Sequence, residues 1–478
     1  MPAMRLRAAL AIVVGAVALR LAVGVGFANY DTLYSLAWGQ QLARGQNPSY
    51  KTALAPTPHP LLEALGAILS PLGAAATVAI VVALAYLALA TLGYLVYRLG
   101  TDWFSWPAGL AGAALILSRY EVLSYGVRAY ADIPYVVLVL GALAIETRRR
   151  RAGWPVIALL DLAGLLRPEA WLFAAVYWLY LWRGSSPRRR LELAGAVAAA
   201  PLLWALSDLL ITGNALWSLT NTRSTARELH RATGLANVPY YGARRLGEVL
   251  GPDGLVAAAI GGVLALWLAR RRALLGAAAA LIAVVALAAV ATSGLPIQDR
   301  YVFLIAALGA VFGGAGLFGW RTLEPGDRHR ALWRRGAVVI AVAIVASVAW
   351  QVPRFNKTFN SSKPADQSLD AQQRIASDLV TLTKEGAITT ACLPISVPYA
   401  TPVPLLALYL HTSPANVVAA PIERGTYIVA ADRAVYLQYQ LDQHDPQRSG
   451  GVPSGFRSIA ANRSWHVYAR CRGSGGPP

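Results

Sequence analysis

Charged and aromatic residues collect in a few short segments of this sequence, and long apolar runs separate those segments. An early segment contains Asp31 and His59, a second extends from Arg119 to Pro134, and a third extends from Gln298 to Tyr301. A carboxylate such as Asp31 can accept a proton from a hydroxyl group. The planar fork of an arginine can donate two parallel hydrogen bonds to a phosphate. The three segments therefore hold the residue types that acid-base chemistry on a phosphate-bearing substrate requires.

The elements that must position these residues are membrane spans. Of the 478 residues, 56% are hydrophobic and 14% are charged, and the mean hydropathy is +0.46, which is too apolar for one soluble domain. The formal net charge of +19 would make nucleic acid the first partner to consider in a soluble protein. Because the arginines lie between apolar runs, orientation in a lipid bilayer explains them, and no nucleic-acid partner is expected.

About eleven apolar runs have the length that crosses a hydrocarbon core of roughly 30 Å as a helix. Lys and Arg are retained on the cytoplasmic side of short loops. Basic clusters such as Arg148–Arg151 and Arg270–Arg272 all fall on one side when the loops are assigned alternately, so the amino terminus is predicted to be cytoplasmic and the carboxyl terminus external. The predicted spans are Ala8–Phe27, Ala74–Tyr97, Phe104–Ser118, Ile133–Thr147, Trp154–Leu166, Ala170–Trp182, Leu191–Ile211, Leu255–Ala269, Ala273–Ser293, Val302–Trp320 and Gly336–Trp350.

The sequence changes character after Gln351, where apolar runs shorten and polar residues become frequent. Tyr427–Ala430 and Trp465–Tyr468 are typical of strands, and Gln367–Glu385 has the pattern of an amphipathic helix. The predicted fold class is thus an all-α polytopic membrane bundle of about eleven transmembrane helices. We expect it in residues 1–350, followed by a small external α/β domain in residues 351–478.

Two cysteines, Cys392 and Cys471, lie in this carboxyl-terminal region. Two thiols cannot form a four-thiolate zinc site. An external domain faces an oxidising compartment, so we expect a disulfide between them, with two free buried thiols as the alternative.

All the polar segments fall on the predicted outer side of the membrane. The first of them, Ala28–Gly73, is the richest. It is predicted to form two interfacial helices, Leu33–Arg44 and Leu61–Leu69, on either side of a turn. Such a segment is a structured cap over the spans.

In their order along the chain, these segments resemble the GT-C glycosyltransferases, which are polytopic enzymes that take a sugar from a polyprenyl-phosphate donor on the outer face. The resemblance covers roughly the first 320 residues. It implies a multi-pass protein of the cell membrane whose active site is extracytoplasmic. The matching motifs are Asp31 after the first span, the His59-Pro60 element, Arg128–Pro134, Leu165–Glu169 and Asp299–Tyr301.

The resemblance implies that Asp31 is the catalytic carboxylate, although many members have two adjacent acidic residues where this chain has Asp31 followed by Thr32. Arg300 is our first choice for stabilising the departing phosphate, and Arg128 is the second. His59 is expected to bind the donor phosphate or the acceptor. Asp31, the Arg128–Asp132 stretch and Arg300 are predicted to converge in one pocket beside lipid.

Glu121 and Asp132 occupy the second acidic position of the group, which in some members holds a divalent metal. Their spacing is not a metal motif, so a requirement for Mg²⁺ or Mn²⁺ is left open and no other cofactor is expected. The predicted substrate-binding residues are His59, Glu121, Arg128, Asp132, Arg300 and Tyr301. Asp31 as a solvated helix cap, and Asp299 with Arg300 as a surface ion pair, are the alternative interpretations.

The predicted function is inverting transfer of a hexosyl or pentosyl group from a polyprenyl-phosphate-linked donor to a glycan, lipid or protein of a bacterial cell envelope. The alternative is a transporter or flippase for a lipid-linked or anionic solute, which Asp161 and Asp208 inside predicted spans would favour. A hydrogen bond inside the bundle explains each of those carboxylates equally well. A third possibility is a membrane-anchored binding protein whose carboxyl-terminal region does the work.

Overall fold

A computed structural model describes residues 2–360, 369–441 and 451–471. The chain is mostly helical, with a five-stranded sheet near its carboxyl-terminal end. Its contacts divide it into two compact units. The bundle unit comprises the chain up to Gly24, Ala83–Ala205 and Ala232–Asn360, and the sheet unit comprises Val25–Val82, Leu206–Arg231 and the described residues from 369 onward.

Helices account for most of the described chain. In chain order they are α1 (Pro2–Val23), α2 (Tyr30–Ala43), α3 (Pro60–Leu69), α4 (Ala74–Trp103), α5 (Trp106–Leu117), α6 (Tyr120–Val127), α7 (Asp132–Arg148), α8 (Trp154–Gly164), α9 (Glu169–Trp182), α10 (Pro187–Thr212), α11 (Trp217–Glu228), α12 (Ala243–Leu268), α13 (Arg270–Thr292), α14 (Phe303–Phe318), α15 (Arg328–Asn360), α16 (Leu369–Lys384), α17 (Pro402–Tyr409) and α18 (Arg433–Tyr439).

Six helical stretches among the described residues are long and apolar enough to cross a membrane, and a seventh is added if α6 and α7, which are bent by 109°, count as one span. The protein is therefore membrane-embedded. The predicted count of eleven is not confirmed, because α5, α8 and α9 have only 12, 11 and 14 residues. At 1.5 Å per residue, even about 14 residues cover only about 21 Å of a roughly 30 Å core. The orientation of the helices stays a prediction.

Local sequence explains where several of these helices begin. Pro60, Pro107 and Pro155 each occupy the first turn of a helix, where the missing N–H has no intrahelical partner to lose. Glycines then bring bundle helices into close contact. A Cβ on Gly314 of α14 would overlap the Ala108 carbonyl of α5. The sequence Gly314-x-Gly316-x-x-Gly319, which also has the spacing of a nucleotide-binding motif, is thus a helix-packing surface.

The carboxyl-terminal sheet has the strand order β2-β1-β3-β5-β4. β1 is parallel to β2 and β3, whereas β5 is antiparallel to β3 and β4. Both predicted strands and the mixed α/β class of this region are confirmed. The strands are β1 (Ile395–Ser396), β2 (Val417–Val418), β3 (Gly425–Ala430), β4 (Arg457–Ala461) and β5 (Trp465–Arg470).

A disulfide and the bounds of two helices, α15 and α16, bear on the predicted carboxyl-terminal domain. Cys392 and Cys471 form a disulfide with their Cα atoms 5.4 Å apart. Helix α15 continues to Asn360, beyond the predicted boundary at residue 350. The first two residues of the predicted helix Gln367–Glu385 lie outside the described residues, and α16 accounts for the rest except Glu385. The two-domain division of the chain stays a prediction.

Helices α2 and α3 both form as predicted in the first polar segment, but α2 is buried on most sides and is not an amphipathic surface helix. Helix α3 covers one side of it and α17 covers another. Two glycines allow the close approach of α2 to α3, because a Cβ on Gly39 would overlap the Glu63 carbonyl and one on Gly66 would lie 3.0 Å from the Leu36 Cα.

We predict that Gly39→Ala destabilises the protein, because the added methyl group meets backbone and not a movable side chain. Overpacking of this kind costs about 1 to 3 kcal/mol. Thermal unfolding of the purified protein in detergent measures the effect. Gly195→Ala in α10 is the matched control, since a Cβ there has no atom within 4 Å. A melting temperature of Gly39→Ala equal to that of the control variant would contradict this description of the α2–α3 contact.

Candidate active site

The bend between α6 and α7 positions polar side chains in the bundle unit. Ala129 adopts a left-handed conformation with φ of 55°. Its N–H donates to the Gly126 carbonyl at 2.9 Å, and the Tyr130 N–H donates to the Tyr125 carbonyl at 3.1 Å. These bonds satisfy carbonyls at the end of α6 while the chain turns by 109°. Arg128 and Tyr130 are thereby fixed at a helix end.

Two arginines that the sequence predicted to bind phosphate approach the same tyrosine. The Arg128 guanidinium carbon lies 4.9 Å from the centre of the Tyr125 ring and 5.1 Å from that of Tyr130. The Arg300 guanidinium carbon lies 5.9 Å from the centres of both the Tyr130 and Tyr301 rings. We call these five residues the arginine–tyrosine patch. The rings hold the two cations in position together with hydrogen bonds from the Arg128 Nε–H to the Ser124 carbonyl at 3.1 Å and from the Arg300 Nε–H to the Gln298 side-chain oxygen at 2.8 Å.

A buried ion triad lies beside this patch. Arg167 forms ion pairs with Asp132, the first residue of α7, and with Glu169, the first residue of α9, the latter at 2.7 Å. All three residues are buried, and the Arg167 guanidinium carbon lies 4.2 Å from the Tyr301 ring centre. Arg167 thus links the beginning of α7 to the beginning of α9. Because Arg167 is the cation closest to both carboxylates, it offsets much of the negative charge that they bring near the patch.

Two further charges near the patch, Asp299 and Arg119, have defined partners. The Tyr125 hydroxyl donates to Asp299 at 2.9 Å, so this carboxylate is held by a neutral donor. Arg119 makes a bidentate pair with Asp253 at 3.0 and 2.9 Å, which links the end of α5 to the kink of α12 at Gly251. Aromatic and ionic contacts therefore join helix ends that are far apart in sequence.

The geometry gives no support to a metal site at Glu121 and Asp132, a question that the sequence left open. Glu121 is half-buried in the first turn of α6, whereas Asp132 is engaged by Arg167. Among the described residues, no group of three or more His, Cys, Asp or Glu side chains is arranged to hold a metal ion. A metal requirement therefore stays open.

In the sheet unit, Asp31 lies in the first turn of α2. The Asn29 side chain caps this helix by accepting hydrogen bonds from the Asp31 and Thr32 N–H groups at 2.8 and 3.2 Å. Asp31 is only partly buried, although most of α2 is buried. An acidic side chain in the first turn interacts favourably with the positive end of the helix dipole. This position suits a carboxylate that accepts a proton, and it equally suits a solvated cap.

His59 and Glu63 belong to the beginning of α3 in the same unit. His59 is buried, and its carbonyl accepts the N–H groups of Leu62 and Glu63. Glu63 is only 3% exposed, and the Tyr50 hydroxyl donates to one carboxyl oxygen at 2.5 Å. Burial raises the pKa of Glu63 to about 8, and the Tyr50 hydrogen bond opposes part of that rise. Near neutral pH this carboxyl group is therefore mostly protonated.

Sequence reasoning did not single out Tyr50 and Glu63 as a pair. Glu63 is the only charged residue within α3, and this isolated charge in an apolar helix was the one sequence feature that could have indicated a special role. Its partner was hidden because 13 residues and a turn separate the two. The second Glu63 oxygen has no hydrogen-bond partner in the described structure. Such an oxygen is consistent with a protonated carboxyl group, which needs fewer donors than a carboxylate.

Asp208 and Asp161, the two carboxylates that would favour a transporter, differ in their contacts. Asp208, near the end of α10, accepts hydrogen bonds from the N–H and the hydroxyl of Ser218 in α11, both at 2.8 Å. This bond accounts for Asp208 without an ion path. Asp161 lies in the short helix α8, and a cavity in the bundle unit is not lined by it.

The bundle unit thus brings together four of the predicted site residues, Arg128, Asp132, Arg300 and Tyr301. Asp31 and His59 belong to the sheet unit. The predicted convergence of Asp31 with Arg128 and Arg300 is therefore still a prediction, as are the roles of all these residues.

We predict that the stability of the protein falls as the pH rises from about 4.5 to about 8, and that Glu63→Gln removes part of this fall. The folded pKa of Glu63, about 8, lies above the ordinary value of 4.5, so the folded state binds the proton more tightly in this range. The contribution is fully present below pH 4.5 and is lost as the pH passes 8. Its slope is at most about 1.4 kcal/mol per pH unit.

Melting temperatures in detergent across this pH range test the prediction for Glu63. Glu385→Gln is the control because Glu385 is an exposed carboxylate of the same unit. The control should keep the pH dependence of the unmodified protein. Identical pH profiles for Glu63→Gln and the unmodified protein would exclude a protonated Glu63.

Comparison with known proteins places oligosaccharyltransferases among the structural neighbours of the chain. No protein-family model matches the sequence, and the search of curated proteins gives no match. The chain is similar to the archaeal oligosaccharyltransferase AglB from Archaeoglobus fulgidus, solved with an inhibitory peptide and a dolichol-phosphate, with 13% identity, a TM-score of 0.47, and coverage of 89% of this chain and 69% of that one. For the apo form of the Archaeoglobus fulgidus oligosaccharyltransferase the identity is 13%, the TM-score is 0.46, and the coverage is 86% and 64%. At this identity and these TM-scores, neither similarity assigns a role to any residue of this chain.

Proposed function

We propose that this protein is an integral-membrane glycosyltransferase that moves a sugar from a polyprenyl-phosphate-linked donor to an acceptor on the extracytoplasmic face. The observation that carries the proposal is the arginine–tyrosine patch, where Arg128 and Arg300 approach the same ring of Tyr130. Two guanidinium groups at the end of membrane helices suit an anionic phosphate whose lipid tail stays in the bilayer. The ordered sequence motifs that resemble GT-C enzymes support the same function.

In the proposed reaction, the acceptor hydroxyl oxygen attacks the anomeric carbon of the donor sugar. The bond from that carbon to the phosphate oxygen breaks, and the electron pair leaves with the polyprenyl phosphate. Asp31 accepts the hydroxyl proton, and Arg300 and Arg128 stabilise the negative charge that develops on the phosphate. A single displacement of this kind inverts the anomeric configuration.

The buried triad has a supporting role in this proposal. Asp132 and Glu169 are paired with Arg167, so they are assigned to holding the beginnings of α7 and α9 and not to the chemistry. The predicted substrate contact of Asp132 is thereby replaced by a positioning role. Tyr301 is shared between the triad and the patch, since the Arg167 and Arg300 guanidinium carbons lie 4.2 and 5.9 Å from its ring centre.

The identities of the donor sugar and of the acceptor, and the location of the acceptor in a cell envelope, are also proposed. A hexosyl or pentosyl donor and a glycan, lipid or protein acceptor of a bacterial envelope are the expected substrates. Incubation of the purified protein with a panel of radiolabelled polyprenyl-phosphate sugars and envelope fractions identifies them. For a transporter, Asp208 offers no favouring observation, because it is bonded to Ser218, whereas one Asp161 oxygen is buried without a hydrogen-bond partner in the described structure.

We predict that Asp31→Asn reduces sugar transfer at least about 100-fold, which is the lower range of general acid–base contributions. The amide keeps the shape of the side chain but cannot accept the proton. Asp370→Asn is the matched control, because Asp370 is also an acidic residue in the first turn of a helix and is exposed. Both variants lose a favourable interaction with a helix dipole, so their melting temperatures should be equal. A loss of transfer activity in Asp31→Asn alone would then not result from lower stability. Full transfer activity of Asp31→Asn would leave Asp31 as a cap.

We predict that Arg300→Gln lowers kcat by about 100-fold, the usual effect of removing one donor that stabilises developing charge. Arg128→Gln should raise the KM for the lipid-linked donor and lower kcat less. Arg330→Gln is the control, since the Arg330 guanidinium carbon also lies over an aromatic ring, at 5.1 Å from the centre of Trp320. An unchanged kcat and KM in both patch variants would remove the phosphate role from the patch.

A further inference from the structure

The bundle unit contains a cavity of about 400 Å³ that the proposed reaction does not use. Its walls come from α7, α8, α9, α13 and α14, and nearly all the side chains that line it are apolar. The volume lies within the range of small-molecule sites in proteins. The charged lining residues are Glu146, Arg150 and Arg271.

The two arginines lie at one end of the cavity. Arg150 follows the end of α7, and Arg271 lies in the first turn of α13. Both side chains are exposed, and neither has an ion-pair partner in the part of the chain that the structure describes. Two unpaired guanidinium groups at the mouth of an apolar cavity are complementary to an anionic group that carries a hydrocarbon chain.

Glu146 forms no ion pair with Arg150 or Arg271 among the described residues. Its carboxylate accepts hydrogen bonds from the Arg151 N–H and the Tyr177 hydroxyl, both at 2.8 Å, and from the Ala152 N–H at 3.3 Å. Glu146 is only 3% exposed and is therefore committed to the loop after α7. Arg150 and Arg271 are left to face a ligand.

The length of the cavity matches one leaflet of a bilayer. Along α13 its lining extends from Arg271 to Ile282. At 1.5 Å per residue this is about 16 Å. A hydrocarbon core of roughly 30 Å is two lipid chains thick, so the cavity has the depth of one phospholipid chain.

Aromatic side chains place the mouth at the level of lipid headgroups. The Arg190 guanidinium carbon lies 4.6 Å from the centre of the Trp182 ring, and that of Arg151 lies 5.2 Å from the centre of the Tyr180 ring. Trp182 and Tyr180 are 41% and 43% exposed. Exposed Trp and Tyr with arginines are characteristic of the membrane interface. Leu274, which lines the cavity, is 47% exposed, so the cavity is open to the side where lipid lies.

We propose that this cavity binds an anionic glycerophospholipid, with one acyl chain between α7, α9 and α13 and the phosphate between Arg150 and Arg271. The site is separate from the arginine–tyrosine patch, which lies at the beginnings of α7 and α14, whereas the mouth lies where α7 ends and α13 begins. Binding does not depend on glycosyl transfer. In this proposal the acyl chain fills the apolar cavity that the helices leave between them.

Native mass spectrometry of the full-length protein tests the site, after exchange into detergent containing phosphatidylglycerol or phosphatidylcholine. The unmodified protein should retain one phosphatidylglycerol molecule in preference to phosphatidylcholine. The double variant Arg150→Gln/Arg271→Gln should weaken retention of phosphatidylglycerol about tenfold or more. The double variant Arg188→Gln/Arg321→Gln removes the same amount of charge outside the cavity and should retain the lipid.

A second pair of variants tests the apolar part of the cavity. Ala278→Phe fills the space that the acyl chain would occupy and should abolish retention. Val285→Phe adds the same ring to α13 outside the cavity lining, where Val285 is 48% exposed, and should retain the lipid. Thermal unfolding confirms that each variant is folded. Equal retention of both lipids, full retention by the two cavity variants, or displacement of the phosphatidylglycerol by polyprenyl phosphate would overturn the proposal.

Discussion

The bundle unit depends on one buried cation. Arg167 lies between Asp132 and Glu169, which begin α7 and α9, and under the ring of Tyr301 just before α14. A charge removed from water must be paired with good geometry, or its burial destabilises the fold. Three helix beginnings that are distant in sequence are therefore required to meet at Arg167. Their meeting fixes where the neighbouring arginines and tyrosines can lie.

That constraint explains why the patch beside the triad is cationic. The sequence near these helix ends contains both acidic residues, such as Asp132 and Glu169, and basic residues, such as Arg128. In the fold, Asp132 and Glu169 are paired with Arg167, and Asp253 is paired with Arg119. Arg128 and Arg300 instead lie over tyrosine rings. Pairing within the fold thus separates the arginines that neutralise buried carboxylates from those that pack against aromatic rings.

Much of the secondary structure could be predicted from the sequence, because local patterns determine it. Helices α2 and α3, the strands β3 and β5, and the glycine contacts of α14 all follow from periodicity and residue size. The number of spans could not be predicted, since hydrophobicity alone does not show where a helix ends. In the region from Phe104 to Trp182, apolar runs are divided into helices that are shorter than a bilayer.

The candidate site was only partly predictable for a related reason. The sequence identified Arg128, Arg300 and Tyr301 by their charge and position, but pairs such as Tyr125 with Asp299 are 174 residues apart and leave no local pattern. The burial of Glu63 against Tyr50 likewise depends on tertiary packing. Sequence patterns therefore indicate which residue types are present near the site. Long-range contacts determine which of them are engaged in hydrogen bonds or ion pairs within the fold.

The disulfide has a topological consequence for the carboxyl-terminal sheet. All five strands lie between Cys392 and Cys471 along the chain, since β1 begins at Ile395 and β5 ends at Arg470. The covalent bond therefore closes the whole sheet into a ring of polypeptide. A protease that cuts any one connection within this ring leaves both fragments joined through sulfur, so the sheet tolerates a nick without losing a strand.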